Sequence, residues 1–170
     1  PVKFIGEISK NLRIYEHTRA VRVEGGCVET ERGNVYGKYI IFTDHYPFVN
    51  FPGYYFLRMH QSRSYVVAVK NATPLMGMYY GLDDDGHSYR SYGDILLVGG
   101  GTHRTGENSE GGKFEELFAS AKKLWPDCEF VTAWSAQDCM PLDGVPYIGK
   151  FSKSESNWYV ATGFKKWGIT

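Results

Sequence analysis

The amino-acid sequence predicts an α+β fold: a mainly antiparallel, twisted sheet with one long helix. Three observations carry that expectation. Short segments with apolar residues at alternate positions, bounded by Gly, Pro, Asn or Asp, recur about nine times along the chain. Only one stretch has a clear helical period. Aromatic residues make up 16% of the 170 positions, with 13 tyrosines, which suits a twisted sheet better than a helix bundle.

The elements follow in order. "LRIYE" (residues 12–16) is apolar at alternate positions, and "RAVRVE" (19–24) alternates as well. The Gly25-Gly26 pair signals a hairpin turn, "CVETERG" returns, and "KYIIFT" (38–43) reads as a buried strand. Together these predict a small β-meander feeding one inner strand. A Pro/Gly-rich break at residues 46–53 precedes two alternating runs, "YYFLRMHQ" (54–61) and "SYVVAVKN" (64–71). After "ATPLMGMYYGL" and the acidic turn "DDDGHS", the segments "YRSYGD" and "ILLVGG" predict an antiparallel pair around Gly93-Asp94. The helix is expected over residues 113–125, with Phe114, Leu117, Phe118, Ala121 and Leu124 on one face and Pro126 as its stop. "EFVTAWS" and "NWYVATG" are two further strands around the turn-rich "QDCMPLDGVPYIG" (137–149).

Composition excludes several function classes. Nineteen basic residues balance nineteen acidic ones, so nothing favours nucleic acid or an anionic membrane surface. No apolar run approaches the ~20 residues of a membrane span. Cys27, Cys128 and Cys139 are an odd number without a CxxC pair, which argues against a disulfide framework or zinc knuckle and fits a reducing cytoplasm. The first residue is Pro1 and not Met, as expected of a processed or excised piece.

Among candidate motifs, "GTHRTGEN" (101–108) has the spacing of a phosphate loop. It lacks the Lys-Ser/Thr that such a loop requires, and Glu107 and Asn108 stand there instead. The glycines are then read as a place where backbone must approach another group closely. His103 and Arg104 at the end of that strand are either substrate contacts or ordinary polar residues of a loop. In "RMHQSR" strand alternation puts Arg58, His60 and Ser62 on one face and Met59, Gln61 and Arg63 on the other; one set lines a cavity or both are solvated. The five histidines lack ligand spacing, so no metal site is expected. "NWYVATGFKKWGIT" (157–170) has the look of a strand delivering its carboxyl end to a cofactor, with a helix start at Gly168.

Two of these stretches, "LDGVPYIG" (142–149) and "NWYVATGFKKWGIT", resemble the C-terminal flavin-contacting region of the D-amino-acid oxidase/glycine oxidase superfamily of FAD-dependent oxidoreductases. "KYIIFTDHYP" resembles the strand with which that superfamily closes its FAD domain. The combination with "LLVGGGTHRTG" and "WSAQDCMPLDGVPYIG" is most similar to a bacterial branch, some of whose members carry a C-terminal Rieske domain. The resemblance implies a piece of a longer flavoprotein: residues 1–45 ending the FAD-binding domain, 46–135 a substrate-binding domain of the D-amino-acid-oxidase type, and 136–170 the return. It implies FAD as cofactor, a Rieske [2Fe-2S] cluster in a domain outside this chain, and a small-molecule substrate with the rest of the polypeptide as partners. Gly163, Phe164, Trp167, Gly168, Ile169 and Thr170 would lie on the flavin side; His60, His103, Arg104 and Asp138 on the substrate side.

The departures bear on activity. No G-x-G-x-x-G fingerprint and no Rieske Cys/His pairs occur in these residues, so the piece alone is expected to be inactive and to hold little or no FAD. Where amino-acid-oxidising relatives place an arginine for the substrate carboxylate, Gln137 or Asp138 stands here, and "FTD" (42–44) replaces the family's "VAT". The alternative is a binding module or electron-transfer partner without catalysis.

Overall fold

The computed structural model describes residues 2–83, 86–107 and 112–166. The chain divides into two units: Pro1–Met59 with Pro141–Thr170, and His60–Met140. Among the described residues there are eleven strands and two α-helices.

In the first unit, α1 (Val2–Ser9) buries none of its residues. β1 (Ala20–Glu24), β2 (Cys27–Thr30) and β3 (Gly33–Tyr36) form the antiparallel meander, in the order β1-β2-β3. β4 (Ile40–Phe42) runs parallel to β11 (Trp158–Thr162), which pairs antiparallel with β10 (Tyr147–Lys150). Aromatic residues build the core of this unit. Phe42 lies 4.6 Å from Phe151 and 5.5 Å from Trp158, centroid to centroid, and the buried Tyr55 donates its hydroxyl to the Phe151 carbonyl at 3.0 Å. The Trp158 indole N–H donates to the Gly25 carbonyl at 2.6 Å, pinning the β1–β2 turn to β11.

The second unit is a five-stranded sheet in the order β6-β7-β8-β5-β9, made of β5 (Met59–Lys70), β6 (Met78–Tyr80), β7 (Ser88–Tyr92), β8 (Ile95–Arg104) and β9 (Glu129–Pro141). α2 (Phe114–Leu124) covers one face, where Leu117 and Ala121 pack with Tyr65, Val67, Val69, Leu96 and Val98. Its Leu124, expected on the buried face, is 57% exposed.

The predicted fold class holds, with several local corrections. The helix is eleven residues, and a second, eight-residue helix stands where none was expected. "LRIYE" is not a strand; Leu12 and Ile14 are exposed, and alternation makes a strand only where a neighbour supplies hydrogen bonds. "YYFLRMHQ" does not run as one strand. Tyr54 is left-handed (φ 54), residues Tyr55–Leu57 form a 3-10 turn, and Arg58 stays outside β5 with its guanidinium over the Tyr55 ring. Arg58 therefore does not share a strand face with His60 and Ser62. The turn-rich "QDCMP" is instead the end of the thirteen-residue β9. In β4, Ile40 and Phe42 are buried but Ile41 is 64% exposed.

Candidate functional site

The first unit presents a site at the carboxyl ends of its two parallel strands. Thr162 closes β11, and its buried hydroxyl donates to the carbonyls of Asp44 and His45, at 3.2 and 3.0 Å. That bridge ties the end of β11 to the residues following β4. Beside it opens a cleft of about 650 Å³ lined by Arg19, Ala20, Val21, Asp44 and Phe48. In sheets of this kind, ligands bind outside the carboxyl ends of parallel strands.

Asp44 is the titrating group of this cleft. Burial holds its carboxyl above the usual carboxylate range, and its own backbone N–H offsets part of the effect. A raised folded value means the ionised form is disfavoured by folding. Its penalty is absent below the unfolded value, near pH 4, and grows as pH rises through the folded one. Asp44→Asn should therefore match the wild type near pH 4 and gain stability relative to it on approach to pH 7. Urea midpoints across that range check the sign; a gain towards low pH would refute it.

The turn between β9 and β10 is built from short-range bonds. Asp143 Oδ1 accepts the Val145 N–H at 3.1 Å, and the Gly144 N–H reaches the Pro141 carbonyl at 3.1 Å. Gly163, which follows β11, is left-handed (φ 78), and a Cβ there would stand 2.6 Å from Pro141 Cγ. Gly163 is buried and Phe164 half-buried. Trp167, Gly168, Ile169 and Thr170 lie outside the described residues.

The second unit separates residues that the sequence places together. Tyr65, Val67 and Val69 of β5 face α2, so by alternation Arg63 does too and His60, Ser62 and Ser64 point the other way. In β8 a bulge changes the parity. Between the pairs Tyr65–Gly100 and Arg63–His103, β5 advances two residues and β8 three. Gly101 takes the left-handed conformation the extra residue needs (φ 63), and Lys113 leaves no room for a side chain: a Cβ would stand 2.7 Å from its Cβ. Gly101, with Thr102, thus makes a bulge under the start of α2.

The consequence is that His103 faces α2 while Arg104 and Thr102 face away. Ser64 Oγ and Thr102 Oγ1 lie 3.3 Å apart on that second face, and Arg104 pairs with Glu107 at 3.7 Å. His103 stacks on Tyr65, with ring centroids 5.7 Å apart. Its Nδ1 lies 2.9 Å from the Arg104 carbonyl, which can only accept, so in the neutral ring Nδ1 carries the hydrogen. Nε2 then accepts from the Tyr65 hydroxyl at 2.9 Å. Ser135 of β9 lines the α2 side, which by alternation turns Asp138 to the other face. Of the four predicted substrate-side residues, His60, Arg104 and Asp138 therefore share the face away from α2, and His103 does not.

His103 instead lines a cleft of about 270 Å³ with Arg63, Tyr65, Thr105, Gly106, Gly112, Phe114 and Ser135. The Nδ1 of His60 and the Nε of Arg63 are buried without a hydrogen-bond partner among the described residues. Sequence reasoning did not single out the Arg63 cleft or the Arg19–Asp44 cleft. The run of three glycines was the available signal for the first, because a bulge is a standing reason for glycine inside a strand. Among the described residues no cluster of His, Cys, Asp or Glu could hold a metal ion, and no helix is long and apolar enough to cross a membrane.

Comparison with known proteins gives the following. The family model described as FAD dependent oxidoreductase (DAO) matches residues 8–170. A protein of Bacillus subtilis named as a Rieske 2Fe-2S iron-sulfur protein is 34% identical over 173 residues, covering 96% of this chain and 34% of that one. Glycine oxidase from Geobacillus kaustophilus superposes with a TM-score of 0.71 at 20% identity, covering 90% of this chain and 44% of its own. L-proline dehydrogenase from P. horikoshii gives 0.69 at 14% identity, covering 90% and 46%. The fold is shared with both enzymes, and the chain spans about a third of the curated relative and under half of the solved ones.

Proposed function

Because the chain belongs to the FAD dependent oxidoreductase (DAO) family, we propose that it is the substrate-binding portion, with flanking edges of the cofactor domain, of an enzyme oxidising an amine or amino-acid-like substrate. The observation that carries this reading is the first unit's site: two parallel strand ends tied by Thr162 beside an open cleft. Such an arrangement fits a flavin nucleotide, since it offers backbone edges, the cationic Arg19 and an apolar wall at Phe48. Gly163 and Phe164, followed by Trp167, Gly168, Ile169 and Thr170, are the residues we assign to the flavin side. The flavin, when bound, supplies the acceptor for hydride from a C–N bond.

The chain's own residues would bind and orient substrate. His60, Arg104 and Asp138 share one sheet face; His60, with a buried and unpaired Nδ1, is the group there able to hold or release a proton. Asp138 disfavours a substrate carboxylate and favours an amine, because like charges repel and opposite ones attract at short range. The name of the Bacillus subtilis relative supports a Rieske cluster elsewhere in the same polypeptide; the two would work as a cytoplasmic electron-transfer unit.

The test uses the full polypeptide. It should purify with bound FAD, iron and acid-labile sulfide, and anaerobic addition of an amine lacking an α-carboxylate should bleach the oxidised-flavin absorbance faster than glycine or D-alanine does. Asp138→Arg should narrow or reverse that preference. Rapid bleaching by glycine in the wild type would overturn the Asp138 assignment. A polypeptide without flavin would overturn the enzymatic reading altogether.

A further inference from the structure

We propose that the cleft beside the start of α2 in the His60–Met140 unit is a binding site for a small oxyanion, a carboxylate or phosphate, seated on the Arg63 guanidinium. The chemistry of the lining carries this. The described residues that line it offer one guanidinium, one imidazole and the hydroxyls of Tyr65, Thr105 and Ser135, and among them there is no carboxylate. Arg63 takes part in no ion pair formed by the described residues, and its Nε is buried without an acceptor. A buried cationic donor left unpaired is costly, and the usual remedy is an opposite charge. Nε with one Nη presents two parallel N–H groups, the fork that matches the two oxygens of a carboxylate or phosphate.

Two further features point the same way. Lys113 at the N-cap of α2 makes no capping side-chain bond, and the helix starts beside Gly112 and Phe114, both of which line the cleft. Helix starts of this kind attract negative charge. The bulge at Gly101 delivers His103 to this same cleft, with Nδ1 fixed on the Arg104 carbonyl and Nε2 on Tyr65. Phe114 stands edge-on to Tyr65 at 5.0 Å, and the pair gives the cleft an apolar wall. The site lies on the α2 face, opposite His60, Arg104 and Asp138, so it is separate from the proposed amine contacts and does not depend on them.

The experiment is calorimetric titration of the full polypeptide with sodium phosphate, acetate and butyrate at constant ionic strength in chloride. At least one anion should bind saturably. Arg63→Gln should weaken that binding tenfold or more, and Arg63→Lys, which keeps the charge but loses the fork, should weaken it less. Ser135→Trp should block the cleft from an exposed strand position with Arg63 intact. Butyrate binding tighter than acetate and phosphate would identify a carboxylate with an apolar tail against Tyr65 and Phe114; phosphate binding tightest would identify a phosphate. No saturable heat with any of the three would overturn the proposal, as would binding unchanged in Arg63→Gln. If Arg63→Gln does not fold, unchanged binding in Ser135→Trp overturns it instead. No flavin signal enters the readout, so this result and that for the proposed function can fail separately.

Discussion

Gly163→Ala is expected to lower stability by about 2–5 kcal/mol and to strip the full polypeptide of most of its flavin. Two costs add. A side chain at φ 78 carries roughly 1–2 kcal/mol of left-handed strain, and overpacking a closed contact costs about 1–3 kcal/mol more. The overlap is severe because the Cβ itself would sit 2.6 Å from Pro141 Cγ and 3.3 Å from Met59 Sδ. Alanine should therefore produce most of the loss that valine does. Urea unfolding followed by tryptophan fluorescence gives the stability; flavin absorbance after gel filtration gives retention. A variant as stable as the wild type would mean that the end of β11 yields easily. A stable variant that loses flavin would place Gly163 at the cofactor and not only in packing.

Leu117→Ala is the second large effect, expected at about 2–5 kcal/mol from lost burial plus the cavity left behind. Leu117 is 0% exposed, and its Cδ2 would lie 3.2 Å from a Cβ built at Gly100, so the helix sits close on the sheet. The sheet below is held by its own ladders and cannot collapse into the hole, which favours the upper part of the range. Amide exchange should show α2 opening before β5 and β8. Uniform exposure of helix and sheet together would show one cooperative block instead.

What the sequence disclosed and what it hid divide along physical lines. The periodic apolar face of α2 and the turn at Gly93-Asp94 were legible because short-range patterning decides them. "LRIYE" misled because a strand also needs a partner, which no local pattern reports. The break at Tyr54–Arg58 was hidden because Tyr55 is buried as a turn residue, bonded to the distant Phe151 carbonyl. His60, Arg104 and Asp138 stand out in the sequence as polar residues on strands, and their common face follows from alternation once the strand register is known. Grouping His103 with Arg104 failed because adjacent residues in a strand point to opposite faces, and the bulge chose which one meets Arg63. A cleft assembled from residues far apart in sequence, such as Arg19 with Asp44, leaves no local trace; for Arg63 with His103 the glycine run was the one local signal.

The glycine run in β8 also sets which kind of genetic change can remodel this protein. Substituting His103 or Arg104 alters one face at a time. Losing the Gly101 codon would remove the extra residue and leave a regular ladder in which His103 still stands opposite Arg63. Replacing Gly101 by a residue that refuses the left-handed conformation acts differently: a ladder straightened with every residue kept would set Thr102 opposite Arg63 and exchange the two faces beyond it. Arg104 would then lie on the Arg63 side, two guanidinium groups in one small space, while His103 would join His60 and Asp138. The left-handed glycine, more than the identity of the residues after it, decides which chemistry each side of the sheet receives. Related sequences that lack a glycine at this position should therefore differ in ligand preference even where every polar residue is retained.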